Sequence, residues 1–226
     1  MRKLLTLLVL GLLVSISSYG QQPSRYTPID SVQFVSMSKL KAGIDSPLYY
    51  KIGDSVTIQG VVTFKPTLYG LSANRKAAWL QADTGNFKGI LVMMDYARLK
   101  TLRSNTSSAI TSLADLEKVL KFYQNMVPGK TVRVTGIVDD FGGETQLVLL
   151  PIETEITKLT TTTIPPRVTI IDSFSQVDAS NNQVKQVASG EKYEGSIIEL
   201  KDVAVTSNSY NATSKRYTWS VKDSKG

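Results

Sequence analysis

Polar and apolar positions alternate most cleanly over residues 129–150, GKTVRVTGIVDDFGGETQLVLL. Val132, Val134 and residues 136–138 interleave with Thr131, Arg133 and Thr135, the period-2 pattern of a half-buried strand. Asp139-Asp140-Phe141-Gly142-Gly143 reads as a turn, because its glycines admit positive φ. Residues 146–150 read as a second strand stopped by Pro151, so the whole stretch predicts a β-hairpin. The same phrase occurs at 53–62, and both copies fit G-x-x-V-x-[IV]-x-G-x-V. Gly60 and Gly136 fall inside the two strands, which marks both as sharply bent.

Around these copies the pattern predicts further elements. Strand one covers 51–64, with Val56, Ile58, Val62 and Phe64 facing inward. A loop over 65–76 is basic at both ends. Strand two covers 77–82, a turn covers 83–86, and strand three covers 87–94. The period then changes. Ser112-Leu113-Ala114-Asp115 resembles a capping box with Asp in the usual Glu place. Leu113, Leu116, Val119, Leu120 and Tyr123 come next on one helical face, ended by Pro128-Gly129. Residues 31–40 fit a short strand and a single helical turn equally well.

Three strands, a helix and two strands is the element order of a five-stranded, Greek-key OB-fold barrel with its helix between strands three and four. The expected fold is therefore mainly β, over residues 51–159, with the helix face plugging the barrel bottom. A generic β-sandwich is the competing architecture. Residues 160–166 read as a linker by composition. Residues 167–226 read as a partial second β unit, OB-like, with Trp219 placed in its strand as Trp79 is in strand two. Five strands would leave that unit incomplete, so the expectation is a fragment or a unit completed by a partner.

Composition removes more than it adds. Residues 1–20 combine Arg2-Lys3, an apolar run over 4–14, and Ser18-Tyr19-Gly20 ahead of Gln21, the form of a secretory signal peptide, short for a membrane span, with a retained N-terminal anchor as the alternative. Residues 21–50 then form a lead-in, polar at first. Loss of Arg2 and Lys3 with the leader leaves 24 basic against 19 acidic side chains, a net +5 in place of +7. Such a balance does not announce nucleic acid. Cysteine and histidine are both absent, which excludes Ser-His and Cys-His nucleophiles and ordinary His/Cys zinc sites. No enzyme and no cofactor is expected.

Several motifs occur together in a known order: Ser46-Pro47, the phrase at 53–63, Trp79-Leu80-Gln81, Gly89-Ile90-Leu91-Val92, the phrase at 129–138, residues 140–147 (DFGGETQL), and Tyr193-Glu194-Gly195-Ser196-Ile197-Ile198. In this order they resemble the OB-fold accessory domain of exported bacterial sugar-non-specific nucleases and related exported OB-fold proteins. The resemblance spans about residues 31–205 and carries over no catalytic residue. It implies an exported binding module, with a downstream domain missing from this chain.

OB folds bind oligonucleotides or oligosaccharides on the outer face of strands two and three. Trp79, Tyr69 and Phe87 are the candidate stacking rings for single-stranded nucleic acid, and Lys65, Arg75, Lys76 and Lys88 the candidate phosphate contacts. Against this, a strand aromatic is more often core, and rim lysines are more often plain solvated charge. Asp139, Asp140 and Glu144 are expected to crowd the opposite rim. There they would oppose phosphate, pair with the basic loop, hold a cation, or bond the turn backbone. A structural, adhesive or glycan-binding β-module of an envelope protein, and an accessory fragment of an extracellular nuclease lacking its catalytic domain, are the rival functions.

Overall fold

The computed structural model describes residues 26–33, 50–68, 74–104, 109–151, 157–160, 162–171, 175–177, 183–185, 192–213 and 215–223. The leader at 1–20, Ser46-Pro47 and Tyr69 lie outside the described residues.

The architecture is mainly β, with a mixed sheet of five principal strands and a few short helices, consistent with a barrel-like OB fold. The strands are β1 (Ser55–Val62), β2 (Arg75–Gln81), β3 (Gly89–Asp95), β4 (Thr131–Phe141) and β5 (Glu144–Leu149). β1, β2 and β3 pair antiparallel in succession, β3 pairs parallel with β5, and β5 pairs antiparallel with β4. β4 also pairs with β1, so the run of pairings returns to its start. The two-residue β6 (Thr157–Lys158) adds to β4.

β4 serves two partners, and its glycine explains how. Its first half pairs with β1 up to Ser55↔Ile137, and its second half pairs with β5 from Gly136↔Leu149 onward. Gly136 sits at the changeover. A Cβ there would stand 2.6 Å from the Leu147 side chain and 2.7 Å from the Val148 carbonyl, so only a glycine lets β5 approach. β4 runs through Asp139 and Asp140 to Phe141, and Gly142-Gly143, both at positive φ, make the turn. A two-glycine turn of that kind matches the twist of the strands it joins. Asp139 is thus a strand residue and not part of a rim loop.

The core keeps the predicted alternation. Val56, Ile58 and Val62 of β1 meet Ala78 and Leu80 of β2 and Val132 and Val134 of β4, all buried. Each valine, leucine or isoleucine among them contributes about 1.5–3 kcal/mol when fully removed from water. Phe64 departs from its expected inward place. β1 ends at Val62, the alternation lapses, and Phe64 is 40% exposed. Residues Ile29–Gln33 form the short helix α1, whose Ile29 and Val32 join the core.

Between β3 and β4 lie α2 (Tyr96–Leu102), α3 (Leu113–Leu120) and the one-turn α4 (Phe122–Asn125). The predicted Ser112 cap is present, but the reciprocal bond of a capping box is displaced by one residue, to Thr111. Ser112 Oγ accepts from the Asp115 amide, and the Asp115 carboxylate accepts from the Thr111 amide and hydroxyl. The predicted single helix face is corrected. Lys121 adopts φ +48°, which ends α3 and shifts the phase of α4 relative to it. Phe122 is therefore buried, while Val119 and Tyr123 are 48% and 37% exposed.

Beyond residue 160 the described residues hold three two-stranded pairs. β7 (Thr169–Ile171) pairs parallel with β10 (Ile198–Leu200), β8 (Ser175–Val177) with β9 (Gln183–Lys185), and β11 (Ala204–Asn211) with β12 (Arg216–Lys222). The β11–β12 hairpin holds Tyr210, Tyr217 and Trp219 in solvent, Trp219 at 59%. No helix among the described residues is long and apolar enough to cross a membrane.

Candidate functional site

Alternation along β2 decides the face of Trp79. Ala78 and Leu80 point into the main core, so Arg75, Ala77, Trp79 and Gln81 point the other way. The register pairs Ala77 with Met93, Trp79 with Leu91, and Gln81 with Gly89. Ala77, Leu91 and Met93 form a second, smaller apolar cluster, with half-buried Trp79 packed against it. Trp79 is therefore an outer-face residue, packed on the second cluster and not in the main core. Both neighbours of Trp79 are apolar and buried, so the local pattern hid the choice.

Two groups hold the indole. Phe64 meets it edge-on, with ring centroids 5.8 Å apart and planes at 88°. Such edge-to-face pairs contribute about 0.5–1.5 kcal/mol beyond their buried area. The Glu144 carboxylate accepts a hydrogen bond from the indole N–H. Burial pushes the Glu144 carboxyl above its ordinary value, and the indole bond opposes that rise. Glu144 is thus a positioning partner of the tryptophan and not a free rim carboxylate.

The other candidates divide. Lys65 is exposed beside Phe64. Arg75 lies in β2, not in the preceding loop, and its guanidinium rests 4.9 Å from the Phe141 ring centre. Lys76, also in β2, alternates onto the side of Ala78 and Leu80 at the strand end, so it belongs to a different face from Trp79. Lys88 is engaged with Asp30 at 2.5 Å, which draws it away from the rim. Phe87 is half-buried at φ +59° in the turn before β3, and its amide donates to the Lys192 carbonyl. The structure brings Trp79 and Arg75 onto one face with Lys65 nearby, and leaves Lys76, Phe87 and Lys88 to other work.

Asp139 is corrected as well. Its side chain is fully buried and receives Arg98 through Nε at 2.8 Å and Nη2 at 2.5 Å, with Gln146 Nε2 at 2.6 Å. Burial pushes its carboxyl up, but the Arg98 and Gln146 bonds outweigh that and hold it below 3.8. Asp140 accepts from the Gly143 amide at 3.1 Å, the expected local turn bond. Among the described residues no group of three His, Cys, Asp or Glu side chains is placed to hold a metal ion.

The wall of the site that local sequence did not reveal comes from more than a hundred residues downstream. Residues 192–197 lie against β2, β3 and β5. The Glu194 carboxylate accepts from the Thr145 amide at 2.5 Å, and Gln81 Oε1 accepts from the Ile197 amide at 3.0 Å. Gln81 Nε2 donates to the Arg167 carbonyl at 2.8 Å. The result is a groove of about 310 Å³ lined by Thr63, Phe64, Trp79, Gly195, Ser196 and Ile197. Its lining is largely apolar and includes two aromatic rings, Phe64 and Trp79.

No protein-family model matches the sequence, and no curated protein matches it. Among solved structures, the chain is similar to an OBody (AM1L10) bound to hen egg-white lysozyme, at 15% identity and a TM-score of 0.33, over 49% of this chain and 83% of that one. It is also similar to a chain of the S. pombe Stn1-ten1 complex, at 18% identity and a TM-score of 0.33, over 56% of this chain and 75% of that one.

Proposed function

We propose that the chain is a non-enzymatic OB-fold binding module, closed into a barrel by its returning strand pairings, that takes single-stranded nucleic acid weakly by stacking and charge. The observation that carries this reading is the position of Trp79. It stands on the outer face of β2, in a T-shaped contact with Phe64, with Arg75 on the same face and Lys65 at the rim. A base stacked on such a ring gains about 1–3 kcal/mol without regard to sequence, and the two cations can meet the flanking phosphates. The leader pattern at residues 1–20 supports an address outside the cytoplasm. The motif order supports a role beside the catalytic domain of an exported nuclease.

Fluorescence anisotropy of a labelled single-stranded oligonucleotide at rising salt tests the reading. Binding at low salt that weakens between 50 and 200 mM supports it, since about one or two phosphate contacts are at stake. Absence of binding at the lowest salt overturns it. One observation favours an adhesive envelope module instead: the β11–β12 hairpin keeps Tyr210, Tyr217 and Trp219 in solvent. Surface retention that survives high salt and is lost with Tyr217→Ala would select that reading.

A further inference from the structure

We propose that the groove between Trp79 and residues 195–197 is a pocket for one unstacked nucleobase, with the Ser196 hydroxyl supplying its hydrogen bond. This rests on the reading of the outer face as the nucleic-acid surface, and goes beyond it by naming a base-sized subsite built partly from the far end of the chain.

Three observations converge there. The volume, about 310 Å³, lies at the lower end of the roughly 300–1,000 Å³ range of small-molecule sites, room for one ring system and not for an extended strand. The indole is held by two partners, Phe64 in a T-shaped contact and Glu144 at its N–H, so its plane is set before any ligand arrives. Ser196 lines the same groove, and its Oγ is sealed from water without a hydrogen-bond partner. An unsatisfied buried hydroxyl is expensive, and natural folds rarely keep one. A rotation about χ1 is all that brings a serine hydroxyl to a new partner. A ligand edge carrying donors and acceptors satisfies it.

Charge selects among planar or flat-faced ligands. A sugar ring also stacks on tryptophan, but a neutral sugar offers Lys65 and Arg75 no opposite charge. A base within a strand brings phosphates on both sides. The backbone of the wall is itself constrained. Gly195 has φ +68°, and its Cβ position is blocked by the Ile90 backbone. The segment therefore cannot be a casually draped loop. It is seated against β3 at a fixed depth, and that depth sets the width of the groove.

The test uses the whole chain with Trp219→Phe, which leaves Trp79 as the single tryptophan emitter, since the sequence has two. Adenosine and cytidine are titrated as free nucleosides, with glucose and cellobiose as the sugar arm. Saturable quenching by nucleosides and not by sugars is expected. Ser196→Ala should weaken nucleoside binding about fivefold, the loss of one hydrogen bond, with its melting curve checked for an intact fold. Ser196→Thr, which keeps a hydroxyl, should bind within about twofold of the parent, a difference small against one hydrogen bond. Sugars quenching in place of nucleosides, no quenching at all, or Ser196→Ala binding like the parent would each overturn the pocket. An oligonucleotide that binds with salt dependence and ignores Ser196→Ala sinks the pocket and leaves the surface reading standing. Nucleosides that bind while no strand does sink the surface reading and leave the pocket.

Discussion

Gly89 and Gly195 touch backbone to backbone, so closely that a Cβ on Gly89 would overlap the Gly195 carbonyl group. A Cβ on Gly195 would lie 2.7 Å from the Ile90 nitrogen and would also be strained at φ +68°. Gly195→Ala is therefore expected to lift residues 192–197 off β3. Overpacking of this kind costs about 1–3 kcal/mol. In the Trp219→Phe background, urea melts should show that loss. Trp79 emission should also move to the red as the groove opens. Unchanged emission and stability would show the wall is not seated as described.

The Arg98–Asp139 pair ties α2 to β4. Asp139 has no exposed side-chain area, while Arg98 keeps 38% of its own. Breaking a fully buried pair costs about 3–5 kcal/mol, and the exposure of Arg98 lowers the expectation for Arg98→Ala to about 2–3 kcal/mol. The pH dependence has a definite sign. The folded carboxyl sits below 3.8, so its contribution is present above that value and is lost as pH falls through the lower folded value. Asp139→Asn should flatten the acid limb of a stability–pH curve, which chemical denaturation at pH 2–6 measures.

Glu144 carries the opposite sign. Burial raises its carboxyl above 4.5, so ionisation opposes folding as pH rises through the folded value. Glu144→Gln keeps an acceptor for the Trp79 indole and removes the charge. It should match or exceed the parent at pH 7, by up to about 1 kcal/mol. Glu144→Ala frees the indole and should broaden and shift Trp79 emission. Equal loss of stability in both variants would contradict the assignment.

Two aromatic strands of similar sequence should respond very differently. Trp219 is 59% exposed, so Trp219→Ala should alter stability by less than about 0.5 kcal/mol. Leu80, fully buried beside Trp79, should lose about 2–5 kcal/mol as Leu80→Ala. Thermal melts of the two variants make the comparison.

Sequence pattern made the strands legible because both glycine phrases lie in β1 and β4, where alternation and bend coincide. The Ser112 cap was legible for the same reason, since Ser112 and Asp115 act within one turn. The helix phase was not. Lys121 takes the left-handed conformation that glycine or asparagine usually signals, so nothing local announced the break. The face of Trp79 was hidden by buried apolar neighbours on both faces of β2, and by β3, which is buried from Gly89 to Met94. Asp139 read as turn because Asp-Asp precedes Phe-Gly-Gly, yet the ladder to β5 continues through Phe141↔Glu144. The downstream wall carries Tyr193-Glu194-Gly195 in plain view, but a contact across such a chain separation leaves no periodic trace.

The most direct measurement is the affinity of a single-stranded oligonucleotide for Trp79→Ala beside the parent at low salt, with circular dichroism confirming the fold of both. The outer-face account predicts a loss of about 1–3 kcal/mol in the variant, with the remaining binding still salt-dependent. Equal affinity in the two proteins would contradict it, because the strand would then be held somewhere other than the face that Trp79 defines.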